Sequence, residues 1–149
     1  MIAVVQRVTG ARVDVDGTAA GIIDSGLLVL AAVENGDGDA QVDWLARKIV
    51  GLRVFRSGEK HFDLDVAQAG GAVLLVSNFT VAADTRKGRR PSLDAAAAPD
   101  DAAILFDRLV RAVRELGVRV ETGVFGGDMK VTLTNDGPAT FILRSERPE

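Results

Sequence analysis

The pattern of apolar and polar residues over positions 1–33 predicts strands joined by turns. Val13 and Val15 alternate with Asp14 and Asp16, and Asp16 followed by a glycine is a turn signal. Residues 26–33 form instead an almost unbroken apolar run. Such a run is typical of a strand that is covered on both faces. We therefore expect strands joined by turns over residues 1–33, the last of them covered on both faces.

Two later segments carry apolar residues at steps of three and four, which predicts amphipathic helices. The first helix is expected from about Asp39. Its predicted apolar stripe is Val42, Leu45, Ile49 and Leu52, and Trp44, Arg47 and Lys48 lie off that stripe. The second helix is expected to begin at Pro99, because two acidic residues follow it in the first turn, and to end at Gly117. Its predicted stripe is Leu105, Leu109, Val113 and Leu116.

The remaining segments complete the order of elements. A polar, glycine-containing loop around His61 precedes a second apolar strand at 71–80, and residues 84–99 have no hydrophobic periodicity and are expected to form a long loop. Three short strands are predicted near 118–124, 128–134 and 139–144. The chain thus reads strands, then strand–helix twice, then strands. This order predicts a single α/β domain over residues 1–149, with a mixed β-sheet or barrel-like layer and two main helices.

Composition narrows the class of protein. The chain has 149 residues, of which 47% are apolar, enough for a core without disulfides or a structural metal. It has no cysteine, which excludes a thiolate nucleophile or thiolate metal site, and its single histidine excludes a His-rich metal cluster. The net charge of −3 gives no general attraction for nucleic acid. No apolar run is long enough to span a membrane. We expect a cytoplasmic protein without metal or cofactor.

Ser77, Asn78, Phe79 and Thr80 stand where the second apolar strand meets a polar loop, a common position for functional groups in α/β folds. The alternative is that Phe79 fills the core and the hydroxyl groups cap strand ends. His61 is expected on the surface or in a loop rather than as a catalytic base.

A concentrated basic segment follows, in which Arg86, Lys87, Arg89 and Arg90 surround Gly88. Cations grouped around a glycine suit the binding of phosphates. A solvated run of charges is the alternative. Gly123-Val-Phe-Gly126 matches the short GXXG pattern of KH RNA-binding domains, but that pattern is weak and lies here between strands rather than helices.

Asn135-Asp136-Gly137-Pro138 combines two conflicting signals. Asp-Gly between alternating strands is typical of a tight hairpin turn. The proline that follows removes a backbone donor where strand pairing should resume, and X–Pro bonds can adopt the cis form at low cost. A plain turn and a special backbone conformation both remain open.

Together these residues resemble the D-aminoacyl-tRNA deacylases, which carry a Ser-Gln-Phe-Thr motif and a later Asn-x-Gly-Pro-x-Thr motif. The matching residues are Ser77-Asn78-Phe79-Thr80 and Asn135-Asp136-Gly137-Pro138-Ala139-Thr140. The resemblance runs essentially from end to end, and includes the Val4-Val5-Gln6-Arg7-Val8 start, the basic loop and the segment at 123–130. One departure is Asn78, which replaces the family's glutamine and is one methylene shorter.

The resemblance implies a homodimer that hydrolyses the ester of D-aminoacyl-tRNA, with glycyl-tRNA as a side substrate. Ser77 to Thr80 would line the pocket near the ester, and a cis Gly137-Pro138 unit would enter the partner's active site and exclude L-amino acids sterically. Arg7 would help to hold that unit across the interface. Phe125, Gly126, Gly127 and Met129 would lie near the terminal adenosine, and Arg86, Lys87, Arg89 and Arg90 would meet acceptor-stem phosphates. The terminal ribose 2′-hydroxyl would assist the attacking water.

Two other functions remain open at this stage. The basic loop is compatible with a non-catalytic tRNA-binding module, although the negative net charge and the lack of an aromatic platform weigh against it. Ser77 or Thr80 as nucleophile is compatible with a hydrolase of another small ester. Neither membrane nor DNA is expected as a partner.

Overall fold

The chain folds into a mixed β-sheet with two helices on one face. The structure is a computed structural model, and it describes residues 1–146. The strands are β1 (Ile2–Val15), β2 (Thr18–Ile23), β3 (Gly26–Ala32), β4 (Phe55–Ser57), β5 (Lys60–Leu64), β6 (Ala72–Ser77), β7 (Val120–Thr122) and β8 (Met129–Arg144). The helices are α1 (Asp39–Gly51), α2 (Pro99–Glu115) and a 3₁₀ helix (Phe79–Ala82). This architecture confirms the predicted fold class.

The sheet is ordered β2-β1-β3-β6-β7, and β8 runs antiparallel to β1 along nearly its whole length. β3 and β6 are parallel, as are β6 and β7, and the other pairs are antiparallel. The two ends of the sheet curl toward each other. A Cβ on Gly21 of β2 would lie 2.5 Å from the carbonyl oxygen of Thr122 in β7, so a glycine permits this close approach. The result is a barrel-like layer.

The core lies on both faces of the sheet, as the unbroken apolar run of β3 predicts. Leu27 and Val29 of β3 pack toward α1 and α2, whereas Leu28 packs on the opposite face with Val8 and Leu74. All three leucine and valine side chains of β3 named here are completely buried. Because β3 is covered on both sides, its two ends are fixed within the fold, and residues that follow it are held in place.

Both helices lie where the periodicity predicts them, but their buried stripes are shifted. In α1 the stripe ends at Ile49, because the helix stops at Gly51 and Leu52 is already extended. In α2 the predicted Leu105 is partly buried and Leu116 is 45% exposed. The residues buried in α2 are Ala102, Phe106, Leu109, Val110 and Val113. Ala102 and Phe106, four positions apart, are thus buried where the hydropathy pattern had favoured Leu105 and Leu116.

Three predictions about strands are wrong. The strand expected at 71–80 ends at Ser77, and Phe79 begins a 3₁₀ helix. The polar segment around His61 is a short hairpin, β4–β5, rather than a loop. The two strands expected at 128–134 and 139–144 are one strand, β8, because both parts pair with β1. The hairpin turn that Asp136-Gly137 favours therefore does not form.

Candidate active site

A cavity of about 970 Å³ opens at the carboxyl ends of β3 and β6. Because these strands are parallel neighbours, their ends meet at the same edge of the sheet, where ligands bind in many α/β folds. Most of the wall is apolar. The lining residues from β3, β6 and β8 are Leu28, Leu30, Ala31, Ala32, Val76, Ser77, Met129, Val131 and Leu133. Those from the loops and α2 include Asn78, Phe79, Leu93, Ala96, Ala97, Ala98, Pro99, Ala102, Phe106, Phe125, Gly126, Gly127 and Asp128.

The cavity brings together two sets of residues that the sequence analysis singled out. Ser77, Asn78 and Phe79 lie on one wall, and the residues at 125–129 lie on another, although some 50 positions separate the two sets in the chain. Phe79 is 58% exposed, which excludes the alternative that it fills the core. Phe125 packs against Phe106 of α2 with ring centroids 6.0 Å apart. The mouth of the cavity therefore carries aromatic surface on two sides.

The polar groups at this edge are few and fixed. Thr80 follows Phe79 in the 3₁₀ helix, and its hydroxyl donates to Oδ1 of Asn78 at 2.5 Å. Asn78 itself is anchored, because its backbone N–H donates to the carbonyl of Ala31 at the end of β3. Within residues 1–146, the backbone N–H groups of Phe79 and Thr80 donate no hydrogen bond. The start of a 3₁₀ helix thus presents two available donors beside the cavity.

No strong base adjoins these hydroxyl groups in the described part of the chain. The acceptor of the Thr80 proton is an amide oxygen, which does not take up a proton near neutral pH. His61 is exposed on β5 and does not line the cavity. Asp128 is the carboxylate at the wall; its side chain is 89% exposed and lies 3.2 Å from the Lys130 ammonium. This arrangement can orient a bound ester and offer hydrogen-bond donors to it.

Arg7, Gly137 and Pro138 lie apart from this cavity in the single chain. The guanidinium of Arg7 is almost completely buried; it donates to the carbonyl oxygens of Val54, at 2.6 Å, and Asp136, at 3.2 Å. It also forms an ion pair with the Asp136 carboxylate. The Gly137–Pro138 peptide bond is cis, and both residues are exposed. Arg7 thus holds the Asp136-Gly137-Pro138 segment of its own chain in a defined position.

The basic loop also lies outside the cavity wall, but its base is nearby. Arg86, Lys87, Arg89 and Arg90 are exposed, and they fall between Phe79 and Leu93, which both line the cavity. Asp84 and Ser92 exchange backbone hydrogen bonds of 2.9 Å and close the loop. Hydrogen bonds from Arg86 lower the pKa of the Asp84 carboxyl group to about 2. The Arg86 side chain makes the larger contribution and its backbone N–H the smaller one. The charge of Arg86 is therefore partly neutralised by Asp84, whereas Lys87, Arg89 and Arg90 have no such partner within residues 1–146.

Sequence reasoning missed the walls that α2 and the loop before it contribute. Phe106 lies outside the predicted apolar stripe of α2, and the alanines at 95–98 fall in the segment predicted only to be a long loop. In the fold, the small side chains of Ala96, Ala97 and Ala98 leave the space that larger residues would fill. The distance of this tract from the two motifs along the chain hid the connection. Among residues 1–146, no group of three or more His, Cys, Asp or Glu side chains is arranged to hold a metal.

Comparisons with known proteins decide the family. The family model described as D-Tyr-tRNA(Tyr) deacylase matches residues 4–144. The chain belongs to the D-Tyr-tRNA(Tyr) deacylase family. This confirms the resemblance on which the sequence analysis relied, and the deacylase family accounts for all but the first and last few residues.

Individual relatives agree with the assignment to the deacylase family. A D-aminoacyl-tRNA deacylase of Geobacter sulfurreducens is 51% identical over 143 residues, which cover 96% of this chain and 94% of the relative. The D-aminoacyl-tRNA deacylase of Methylococcus capsulatus is 51% identical over 144 residues, which cover 97% and 94%. The identity extends over almost the full length of these proteins.

Solved structures share the fold of this deacylase-family chain. The c-Myc DNA Unwinding Element Binding Protein superposes with a TM-score of 0.93 and 34% identity, covering 98% of this chain and 99% of that chain. A probable eukaryotic D-amino acid tRNA deacylase superposes with a TM-score of 0.82 at 16% identity. The second similarity concerns the fold alone.

None of the helices formed by residues 1–146 has the length and hydropathy needed to cross a bilayer.

Proposed function

We propose that the chain hydrolyses the ester bond of D-aminoacyl-tRNA and releases the free D-amino acid and tRNA. The observation that carries this proposal is the cavity of about 970 Å³ between Ser77-Asn78-Phe79 and the segment at 125–129. Its volume falls within the range of small-ligand sites, roughly 300–1,000 Å³. An aminoacyl group joined to the terminal adenosine of tRNA is a ligand of that size. The membership of the deacylase family supplies the chemistry to be expected there.

The aromatic walls provide the binding surface for adenosine. Phe125 and Phe106 pack together at one side of the cavity, and Phe79 exposes its ring at another. A nucleobase stacks favourably on aromatic side chains of this kind. Gly126, Gly127 and Met129 continue the same wall. We assign the adenosine to this side and the aminoacyl ester to the side of Ser77 and Asn78.

The reaction needs little from protein side chains, because an aminoacyl ester is already activated. The backbone N–H groups of Phe79 and Thr80 are free to donate to the carbonyl oxygen as it gains negative charge, a contribution of the oxyanion-hole type. Asn78 and Thr80 hold each other's side chains in place beside these donors. The 2′-hydroxyl of the terminal ribose assists the attacking water. We propose no metal and no cofactor.

Thr80 acts in this scheme by position rather than as a nucleophile. Its hydroxyl donates to the Asn78 amide oxygen, and among residues 1–146 no basic side chain forms a hydrogen bond with it. Replacement of Thr80 by valine should therefore retain much of the rate. A loss of several orders of magnitude would indicate covalent catalysis instead.

Selection against L-amino acids is proposed to come from Gly137-Pro138 of a second subunit. The two enantiomers carry identical groups, so a rigid wall must exclude the wrong side chain sterically. In support, Arg7 and Asn135 fix this exposed segment at several points, which suits a wall. The functional unit would then be a homodimer acting in the cytoplasm. Glycine has no side chain to exclude, so glycyl-tRNA should also be cleaved.

The basic loop is proposed to contact phosphates of the acceptor stem. Lys87, Arg89 and Arg90 are exposed and carry no ion pair within residues 1–146. Along the chain they lie between two cavity-lining segments, which supports a contact with the tRNA end that enters the cavity. Such contacts raise affinity without reading sequence.

The decisive experiment compares hydrolysis of D-tyrosyl-tRNA, L-tyrosyl-tRNA and glycyl-tRNA by the purified protein. Cleavage of the D and glycyl esters with the L ester spared is the expected result. Equal rates on the D and L esters would contradict the steric filter. Binding of tRNA without cleavage of any ester would favour the non-catalytic tRNA-binding module, and Asn78→Gln would then test whether the shorter side chain is responsible.

A further inference from the structure

A second depression lies at the carboxyl end of α1, outside the candidate active site. It is a groove of about 460 Å³, lined by Trp44, Arg47, Lys48, Gly51, Leu52 and Arg53. Three of these six residues carry a positive charge and none carries a negative charge. In a protein with a net charge of −3, such a grouping of cations beside an indole is a local exception. We call these six residues the α1 groove.

Two of the three cations are available to a ligand. Arg47 and Lys48 are exposed, and neither belongs to an ion pair within residues 1–146. Arg53 is engaged, because its guanidinium binds the Asp63 carboxylate at 2.8 Å. The Lys48 ammonium lies 5.8 Å from the centroid of the Trp44 ring. The groove therefore joins free positive charge to an aromatic surface.

Stabilisation of the end of α1 explains a positive charge at Lys48, but it does not explain the presence of all three cations in the groove. A lysine in the last turn of α1 interacts favourably with the carbonyl end of the helix, which carries about half an elementary negative charge. Arg47 and Arg53 line the same groove together with the indole. Since the positive charge of Arg47 and Lys48 exceeds the charge of the helix end, an anion is still attracted there.

The α1 groove is also fixed relative to the Gly137-Pro138 segment. Its last residue, Arg53, is followed by Val54, whose carbonyl oxygen accepts a hydrogen bond from Arg7 at 2.6 Å. The same guanidinium binds Asp136, the residue before Gly137. Arg7 thus links the backbone that follows the groove to that segment.

We propose that the α1 groove is a second binding site for the tRNA substrate, away from the aminoacyl end. Arg47 and Lys48 bind backbone phosphates, and Trp44 packs against an unpaired base. Phosphate contacts of lysine and arginine supply the salt-dependent part of RNA affinity, and base–aromatic contacts add to it. This inference rests on the proposed function for the identity of the ligand as tRNA.

The chain contains one tryptophan, so its fluorescence reports on the α1 groove alone. We would titrate the intact protein with uncharged tRNA and record Trp44 emission together with filter binding at several salt concentrations. The double variant R47Q/K48Q should bind tRNA about tenfold more weakly, and the slope of log affinity against log salt should fall by about 1.5. The emission of wild-type Trp44 should change on saturation.

A matched control removes the same charge elsewhere. Arg111 and Arg119 are exposed and lie outside the groove, so R111Q/R119Q has the same net charge as R47Q/K48Q. The control should keep the affinity and salt slope of the wild type. Circular dichroism and thermal unfolding of both variants verify that they are folded.

Three results would overturn the proposal: an equal loss of affinity in both double variants, no loss in R47Q/K48Q, or an unchanged Trp44 emission at saturating tRNA. Because uncharged tRNA is the probe, the result does not depend on ester cleavage. Failure of the wild type to cleave D-tyrosyl-tRNA would reject the proposed reaction separately.

Discussion

The dipeptide Asp-Gly stands twice between stretches of alternating polar and apolar residues in this chain, at 16–17 and at 136–137. At the first position the backbone φ angles are 51° and 78°, and a tight turn joins β1 to β2 with Val15 opposite Thr18. Positive φ at both central residues is the conformation of the hairpin turn that Asp-Gly favours. Here local preference and final structure agree.

At the second position the chain does not reverse. β8 pairs with β1 before and after it, with Asn135 opposite Val8 and Thr140 opposite Gln6. The residues at 136–139 therefore bulge out against Arg7 of β1. The difference lies in what faces the two dipeptides. Among residues 1–146, apart from Gly17 and its two chain neighbours, no heavy atom lies within 4 Å of a Cβ placed on Gly17, whereas a Cβ on Gly137 would lie 2.7 Å from the Arg7 guanidinium.

Contacts from distant parts of the chain thus decide the second conformation. Arg7 binds both the carbonyl and the carboxylate of Asp136, and the Asn135 amide donates to the carbonyls of Arg7 and Ala139 at 3.0 Å. The Asp-Gly turn preference is local, and several partly buried hydrogen bonds, each contributing about 1 kcal/mol, outweigh it. The comparison predicts that removing these contacts will affect 135–139 far more than the β1–β2 turn.

The largest effect is expected from Arg7→Ala. The Arg7 side chain is 5% exposed and joins Val54 to Asp136, so its removal leaves a buried carbonyl without a donor and an Asp136 carboxylate with only the 3.7 Å ion pair to Arg56. We expect the free energy of unfolding to fall by about 3 kcal/mol, measured by urea denaturation. Arg12→Ala is the control, since Arg12 lies on the same strand and forms an exposed pair with Asp14. A similar loss in both variants would contradict the assigned role of Arg7.

A smaller effect is expected from alanine at the two glycines. Gly17→Ala meets open space and should cost about 1 kcal/mol for its positive φ. Gly137→Ala has a φ of 125° and also displaces the Arg7 guanidinium from its place beside Val54, so it should cost about 2–3 kcal/mol. Denaturant midpoints of the two variants provide the measurement. Equal losses would mean that Arg7 moves aside freely.

Asn135→Ala should have the next effect. Its amide links the backbone on both sides of the bulge, and loss of two partly buried hydrogen bonds should cost about 1–2 kcal/mol. Asn35→Ala is the matched control, because the Asn35 amide makes one exposed hydrogen bond to the carbonyl of Asp94. Amide hydrogen exchange at 135–140 should increase in the first variant and stay unchanged in the second.

The comparison also separates what the sequence could predict from what it could not. The β1–β2 hairpin, the doubly covered strand β3 and both helices follow from periodicity and local turn preference. The continuity of β8 does not, because it depends on Arg7, which lies about 130 positions away along the chain. The same reason applies to the buried face of α2, where Phe106 and Ala102 turn inward to the cavity in place of Leu105 and Leu116.

The candidate site shows the same division. The motif residues at 77–80 and the segment at 125–129 were found from the sequence and its resemblance to a family. The structure adds that Asn78 holds the Thr80 hydroxyl, a contact between neighbours that a glutamine's extra methylene would alter. The alanine wall at 96–98 was missed because small residues give no hydropathy or charge signal. In the folded chain these alanines line the cavity together with residues of β3.

The smallest effect concerns the ion pair beside the β1–β2 turn. Arg12 binds the Asp14 carboxylate and holds its pKa below the ordinary 3.8. A lowered pKa means that the stabilising contribution of the pair is fully present above the ordinary value and is lost as the pH falls from there through the lowered pKa. Since Arg12 is exposed and Asp14 is only partly buried, the midpoint of unfolding should barely change over this range. Carboxyl NMR should show Asp14 titrating below 3.8 in the wild type and near that value in Arg12→Gln; a wild-type pKa at or above 3.8 would contradict the contact.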